Sequence, residues 1–482
     1  MFSSSLIRKI AVSASLAVFA LPVYAEDVKP QPKPVEPEGH FNVTTPVNRP
    51  ANVPEGLEKK REQASIDISE EELLQHPDLL KRALISSVLF SNVEGVKVLL
   101  PLYKQLPEKK DELLMKISEA MIARSEGEYE QAIRQYREAL QQNGDLQFAR
   151  IALAQALFEN HADKSAEAEF QKIKQLPDAP KQIVNMADNY LKALDERKSW
   201  QFNVDANYVR DNNINNATGK RQIKDGKGTW TLPKAESAQG IAYNVGASKN
   251  WRLADNYALR TELDGYGKFY WDNHKYDDLT VRAGIGGVYQ TARLEASLQP
   301  FFERRWYGTE KYSKEKGLRA AAQYWVTPKH KMYVAAEAGD QRHERRKHLD
   351  GKNYTASATW LFVPNNRQYW TLGADWARKE AKDRSDAYRR SGARVGWTQQ
   401  WQKHLTTSMS LGYAVRNYEA ADIFQVVRKD KEYSASLAVS HKRLSFKGVT
   451  PKLVGVWQKT KSNHPFYGHE KSNVYIQLNK NF

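Results

Sequence analysis

Cysteine is missing from all 482 residues, which excludes disulfides, thiolate metal sites and thiol nucleophiles. Long apolar runs are missing as well. No segment holds eighteen consecutive apolar residues, so no helical membrane span of ~20 residues is expected. The signatures of nucleotide and hydrolase chemistry are also lacking. There is no P-loop, no G-x-S-x-G elbow and no carboxylate pair at helical spacing in a pocket-forming context.

Two passages approach a motif without completing it. His343, Glu344 and His348 stand as HExxxH, one residue longer than the HExxH that puts two ligands on one helical face. They sit among arginines, so a loop is expected. Gly284-Ile285-Gly286-Gly287 lacks the strand–turn–helix setting of a phosphate loop. It lies inside an alternating strand, where glycine permits close packing. The chain is expected to be no enzyme and to take no cofactor or metal.

What is present is divided unevenly. Residues 1–199 hold 26 Lys and Arg against 30 Asp and Glu, whereas residues 200–482 hold 47 against 27. Most of the 24 Tyr and 12 Trp belong to the second part. Two differently built parts follow.

The first residues carry Arg8 and Lys9, an apolar stretch from Ile10 to Leu21, and Val23-Tyr24-Ala25. That order predicts a secretory signal peptide over residues 1–25, cleaved between Ala25 and Glu26. Residues 26–69 include Pro30, Pro32, Pro34, Pro37, Pro46, Pro50 and Pro54 in polar company. Such a stretch buries too little apolar surface to offset its ordering entropy, so an extended tether is expected.

From 70 to 198 the pattern is helical and repeats every 34 residues. Ala120 maps to Ala154, Gly127 to His161, Ala132 to Ala166, Tyr136 to Phe170 and Ala139 to Ile173. Small residues let paired helices approach, and an aromatic fills the groove between them. The spacing predicts tetratricopeptide repeats. Residues 83–92 and 94–106 would make a degenerate first pair, and 181–197 a closing helix. In the repeat register Leu114, Ile117, Met121 and Arg124, then Phe148, Ile151, Gln155 and Phe158, face the concave groove. They are candidates for binding cargo or a chaperone, or else they pack on neighbouring helices.

After Trp200 the period becomes 2. Fourteen alternating segments run from WQFNVDANYV (200–209) to NVYIQLNKNF (473–482), with aromatics often near their ends. One phase is apolar and the other heavily charged, as in Arg260/Glu262/Asp264/Lys268. An outer-membrane β-barrel over 199–482 satisfies this pattern better than a soluble sandwich. Residues 217–237 and 340–352 are expected as extracellular loops, and 327–329 and 364–366 as periplasmic turns. The repeats would hang in the periplasm. Val474, Ile476, Leu478 and Phe482 would form the closing strand read by the barrel assembly machinery, with Lys480 reaching toward headgroups. The basic excess suits attraction to lipopolysaccharide, a lumen for acidic cargo, or both; no nucleic-acid partner is expected.

The repeats (EGEYEQAIRQYREALQQNGD), the start of the barrel (WQFNVDANYVRDNNINNAT) and the aromatic end together resemble the surface lipoprotein assembly modulator (Slam) family of Gram-negative bacteria. The resemblance covers the chain from about residue 70 onward. It implies a passive translocator of surface lipoproteins, or of related soluble haemophore-like proteins, served by periplasmic chaperones. An exopolysaccharide exporter and a diffusion porin are the alternatives.

Overall fold

The computed structural model describes residues 70–481 apart from 108–109, 177–178, 226–227 and 447–448. The expected signal peptide with Ala25 and Glu26, the tether, and Phe482 lie outside the described residues.

The helices come first: α1 (Glu70–Gln75), α2 (Pro77–Leu89), α3 (Val93–Gln105), α4 (Glu112–Ser125), α5 (Tyr129–Gln142), α6 (Gln147–Glu159), α7 (Asp163–Lys174) and α8 (Lys181–Lys198). Helix α2 starts six residues before the expected 83, because Pro77 at its first turn is pre-organised for helix. The pairs α2–α3, α4–α5 and α6–α7 share one turn geometry. Ser91, Gly127 and His161 each take positive φ (55°, 80° and 57°). After each of them an amide reaches back to a carbonyl five residues earlier: Asn92 to Ser87, Glu128 to Ala123 and Ala162 to Leu157. These bonds satisfy carbonyls left over at the helix ends. The apolar spacing of α5 buries Ala132, Ile133, Tyr136 and Ala139, and α7 repeats this with Ala166, Phe170 and Ile173. Helix α8 closes the stack with Tyr190, its ring stacked on Phe170 at 4.6 Å.

The strands follow. They are β1 (Gln201–Asp211), a hairpin of β2 (Gln222–Asp225) and β3 (Gly228–Thr231), then β4 (Ala238–Arg252), β5 (Tyr257–Tyr270), β6 (Asp278–Gln290), β7 (Leu294–Tyr307) and β8 (Glu310–Thr327). Next are β9 (His330–His343), β10 (Gly351–Asn365), β11 (Gln368–Lys379), β12 (Tyr388–Gln400), β13 (Leu405–Ala421), β14 (Val427–His441), β15 (Lys452–Ser462) and β16 (His469–Asn481). Apart from the hairpin, these fourteen strands form one closed antiparallel barrel in chain order, with β16 returning to β1.

Most strands outrun the ten residues expected of them. Residues 340–343 and 351–352, expected in a loop, instead extend β9 and β10, and the connecting loop shrinks to 344–350. The extension is stabilised by continued main-chain pairing, Gly351 opposite Gln341. Gly286 occupies a position where a Cβ would lie 2.1 Å from the Leu298 carbonyl oxygen, so this one glycine of the run in β6 serves close strand packing.

The apolar phase points outward. Leu263, Ile285, Leu298, Leu372, Leu437 and Leu453 are each half exposed, as lipid-facing side chains of a membrane barrel must be. Aromatics mark both rims: Trp370–Trp397 and Tyr257–Tyr289 at the end near the helices, Tyr208–Trp271 at the other.

Candidate cargo-handling site

The eight groove candidates do not form one open surface. Leu114, Ile117, Met121 and Phe158 are largely buried in the helical core, and of these Leu114 and Ile117 form part of the wall of a cleft beside Phe148. Phe158 meets Tyr190 edge-on at 4.9 Å. Arg124 is spent on its neighbours. Its guanidinium donates to both carboxylate oxygens of Glu159 (2.9 and 2.6 Å) and to Gln155 Oε1 (2.9 Å). Gln155 in turn donates to Met186 Sδ at 3.7 Å. Burial opposes the Arg124 charge, yet the hydrogen bonds and charge of Glu159 hold its pKa above the ordinary arginine value. Phe148 and Ile151 are partly buried against the core.

Phe148, with the candidates Leu114 and Ile117, lines a shallow cleft of about 150 Å³ together with Ile85, Leu89 and Leu146. The cleft lies between α2, α4 and the start of α6, and Ile85 and Leu89 are exposed beside it. Three of its residues, Ile85, Val88 and Leu89, come from the degenerate first pair, which the 34-residue register does not index.

The array is fastened to the barrel at other residues. The turn after β4 and the turn after β6 meet the αL turns of the repeats. Asp163, at the first turn of α7, lies 2.6 Å from Arg197 and 2.8 Å from Arg252 at the end of β4. Arg197 also sits 3.7 Å over the Phe158 ring. Asp255 accepts from the Ser165 amide (2.8 Å) and hydroxyl (2.5 Å), within the first turn of α7, where the helix dipole favours an anion. Asn256 donates to the Asn160 carbonyl at 2.6 Å. Arg293 donates to Glu128 Oε1 (2.9 Å) and to the Glu126 carbonyl (2.7 Å). These partners are far apart in sequence and carry no local motif.

Inside the barrel the polar phase is paired across strands. Arg282 bonds Glu337 at 2.7 Å, Asp375 takes Arg390 and Arg394 at 2.7 and 2.6 Å, and Glu432 takes Arg390 and Arg416 at 2.8 and 2.9 Å. The lumen wall therefore carries ion pairs that cross between strands. His343 and His348, from the incomplete motif, part company: His343 is buried at the end of β9, while His348 lies in a short turn near Asp386 at 3.8 Å.

Helical repeats joined to the periplasmic turns of a closed barrel with an apolar belt define an outer-membrane protein with a periplasmic repeat domain. Comparison with known proteins adds the family. The family model "Surface lipoprotein assembly modifier" matches residues 200–482, and that for its N-terminal TPR repeats matches 66–170. The chain is 39% identical to surface lipoprotein assembly modifier 1 of Haemophilus influenzae, over 99% of this chain and 100% of that protein. It is 26% identical to the hemophilin secretion modulator of Acinetobacter baumannii, over 85% and 86% respectively. A solved Pseudomonas aeruginosa FadL homologue aligns with 59% of this chain and 89% of its own at 11% identity, TM-score 0.32. The chain belongs to the surface lipoprotein assembly modifier family.

Proposed function

We propose that this protein is an outer-membrane translocator that delivers specific lipoproteins, or related soluble haem- or iron-binding proteins, from the periplasm to the cell surface or exterior. The observation that carries the reading is the fastening of the repeats. One face is fixed to the barrel's periplasmic turns through Asp163–Arg252, Ser165–Asp255 and Glu128–Arg293, while no described residue covers the apolar cleft at Ile85, Leu89 and Phe148. Membership of the family supports lipoprotein cargo, and the relative named a hemophilin secretion modulator supports including secreted cargo.

In this reading residues 1–25 direct export and are removed at Ala25–Glu26, and residues 26–69 tether the repeats. Periplasmic chaperones bring the cargo unfolded, and the cleft takes an apolar segment of it, as grooves of helical repeats take extended or helical peptides. The cargo then enters the lumen. Folding outside removes the unfolded chain from the equilibrium and makes passage one-way, so no nucleotide is consumed. The barrel assembly machinery inserts the protein itself through its last strand, ending at Phe482.

The test is surface display of a co-expressed lipoprotein in intact cells, comparing the full chain with one lacking residues 70–198. Display should be lost while the barrel remains heat-modifiable on gels; unchanged display overturns the reading. Liposome swelling by small sugars addresses the porin alternative, which requires rapid flux.

A further inference from the structure

Closure of the barrel is uneven around its circumference. On one edge β1 pairs along its whole length, Gln201–Asp211 against Ala238–Ser248 of β4. On its other edge β1 meets β16 only from Asn203 to Asn207, against Gln477–Asn481. Carrying that register on would set Tyr208–Asp211 opposite Asn473–Ile476, but the ladder stops. Strand β16 is not irregular there, since it pairs with β15 from His469 to Gln477. Both strands thus have a regular backbone and an unpaired edge over the same extracellular half.

Side chains bridge that half instead. Lys471 Nζ donates to Asn216 Oδ1 at 2.6 Å and to Asp211 Oδ2 at 3.4 Å, tying β16 to the top of β1 and to the loop beyond it. The Asn473 side-chain amide, in its hydrogen-bonding orientation, donates to the Arg210 carbonyl at 2.7 Å. Outside, Tyr208, Ile476 and Val474 flank the seam as exposed apolar side chains, Val474 at 68%.

We propose that the extracellular half of the β1–β16 seam opens sideways, with Lys471 as its latch, and passes the acyl chains of a lipoprotein cargo from the lumen into the outer leaflet. This rests on the translocation reading above. The chemistry of the cargo requires such a path. The lumen wall is built of ion pairs, and lifting a lipid tail over the outer rim would expose apolar surface to water in proportion to its length. An opening level with the outer leaflet avoids that exposure. Open strand edges in lipid leave N–H and C=O groups unsatisfied. A seam closed by a few side-chain bonds is therefore shut at rest and released without breaking a continuous ladder.

Absence of native cysteine makes the test clean. Tyr208→Cys with Ile476→Cys places a disulfide across the unpaired half. Tyr208→Cys with Ile241→Cys places one across the laddered β1–β4 edge, where these residues are opposite. Both variants should assemble as heat-modifiable barrels. Oxidation of the first should cut lipoprotein display at least tenfold, with recovery on reduction, and oxidation of the second should leave display unchanged. Equal display in both, or equal loss in both, overturns the seam. Amide hydrogen exchange of the wild-type barrel in lipid nanodiscs reads the seam without cargo. The amides of 208–211 and 473–476 that face it should exchange at least tenfold faster than those of 203–207, and equal protection overturns the proposal. Should the wild type display no cargo, the translocation reading falls, while exchange still decides whether the seam exists.

Discussion

Asp163 and Arg252 form an ion pair at 2.8 Å between the first turn of a repeat helix and the end of a barrel strand, with both side chains almost fully buried. Arg197 approaches the same carboxylate at 2.6 Å, so one anion holds two cations together. Breaking a buried pair from one side costs roughly 3–5 kcal/mol because a charge is left uncompensated. Asp163→Ala leaves two arginines facing each other and should loosen the repeats from the barrel. Arg252→Ala leaves Asp163 with Arg197 and should do less. Protease cleavage at the 198–200 junction and urea melts in detergent measure this; equal effects would contradict the shared role of Asp163.

His161 gives the same junction a pH dependence. Burial, helped by the positive charge of Arg197 and Arg252, pushes its imidazole down to about 3. In the unfolded chain a histidine titrates near about 6.5. Between these values the unfolded state binds the extra proton, so stability falls as pH falls. Melting temperature should decline from pH 7 to pH 4, and His161→Asn should flatten that decline, since asparagine tolerates the φ of 57°. Parallel profiles would count against it.

Two substitutions in the repeats should separate binding from folding. Phe148→Asp lies in the open cleft and should weaken cargo capture while the helical signal melts within about 1 kcal/mol of wild type. Met121→Asp buries an unpaired carboxylate in the core and should destabilise by several kcal/mol. Retention of cargo by a folded Phe148→Asp variant would show that the cleft is not the binding surface.

Gly286→Val should prevent barrel closure, because its Cβ would collide with the Leu298 carbonyl. The yield of heat-modifiable barrel should drop sharply. Gly287→Val, at a position where a Cβ meets nothing within 4 Å, should assemble normally.

Removing Phe482 should lower the yield of assembled barrel if the closing strand is the assembly signal. Gel mobility with and without heating measures it, and an unchanged yield would remove Phe482 from that role.

The alternation of each strand is a local property. Side chains at i and i+2 share a face whatever the strand's partner, so fourteen strands and their outward phase were legible from residues alone. The 34-residue repeat was legible for the same reason, down to the matched turn positions Gly127 and His161. Strand length was not. Residues 340–343 read as loop because they are charged, yet they extend β9, since main-chain pairing with β10 does not depend on side-chain polarity.

The groove candidates show the limit in another way. A repeat register identifies which face of a helix Met121 and Phe158 occupy, but not whether another helix covers that face. Helix α8 covers Phe158, whereas Leu114, Ile117 and Phe148 line the cleft that remains open.

Composition and periodicity by themselves determined that this chain is a repeat array followed by a membrane barrel, because hydrophobic period is written residue by residue. The tertiary structure decided what those parts do to each other. Asp163 with Arg252 and Lys471 with Asp211 meet across 89 and 260 positions of chain, and no local pattern encodes a contact made only when the barrel closes.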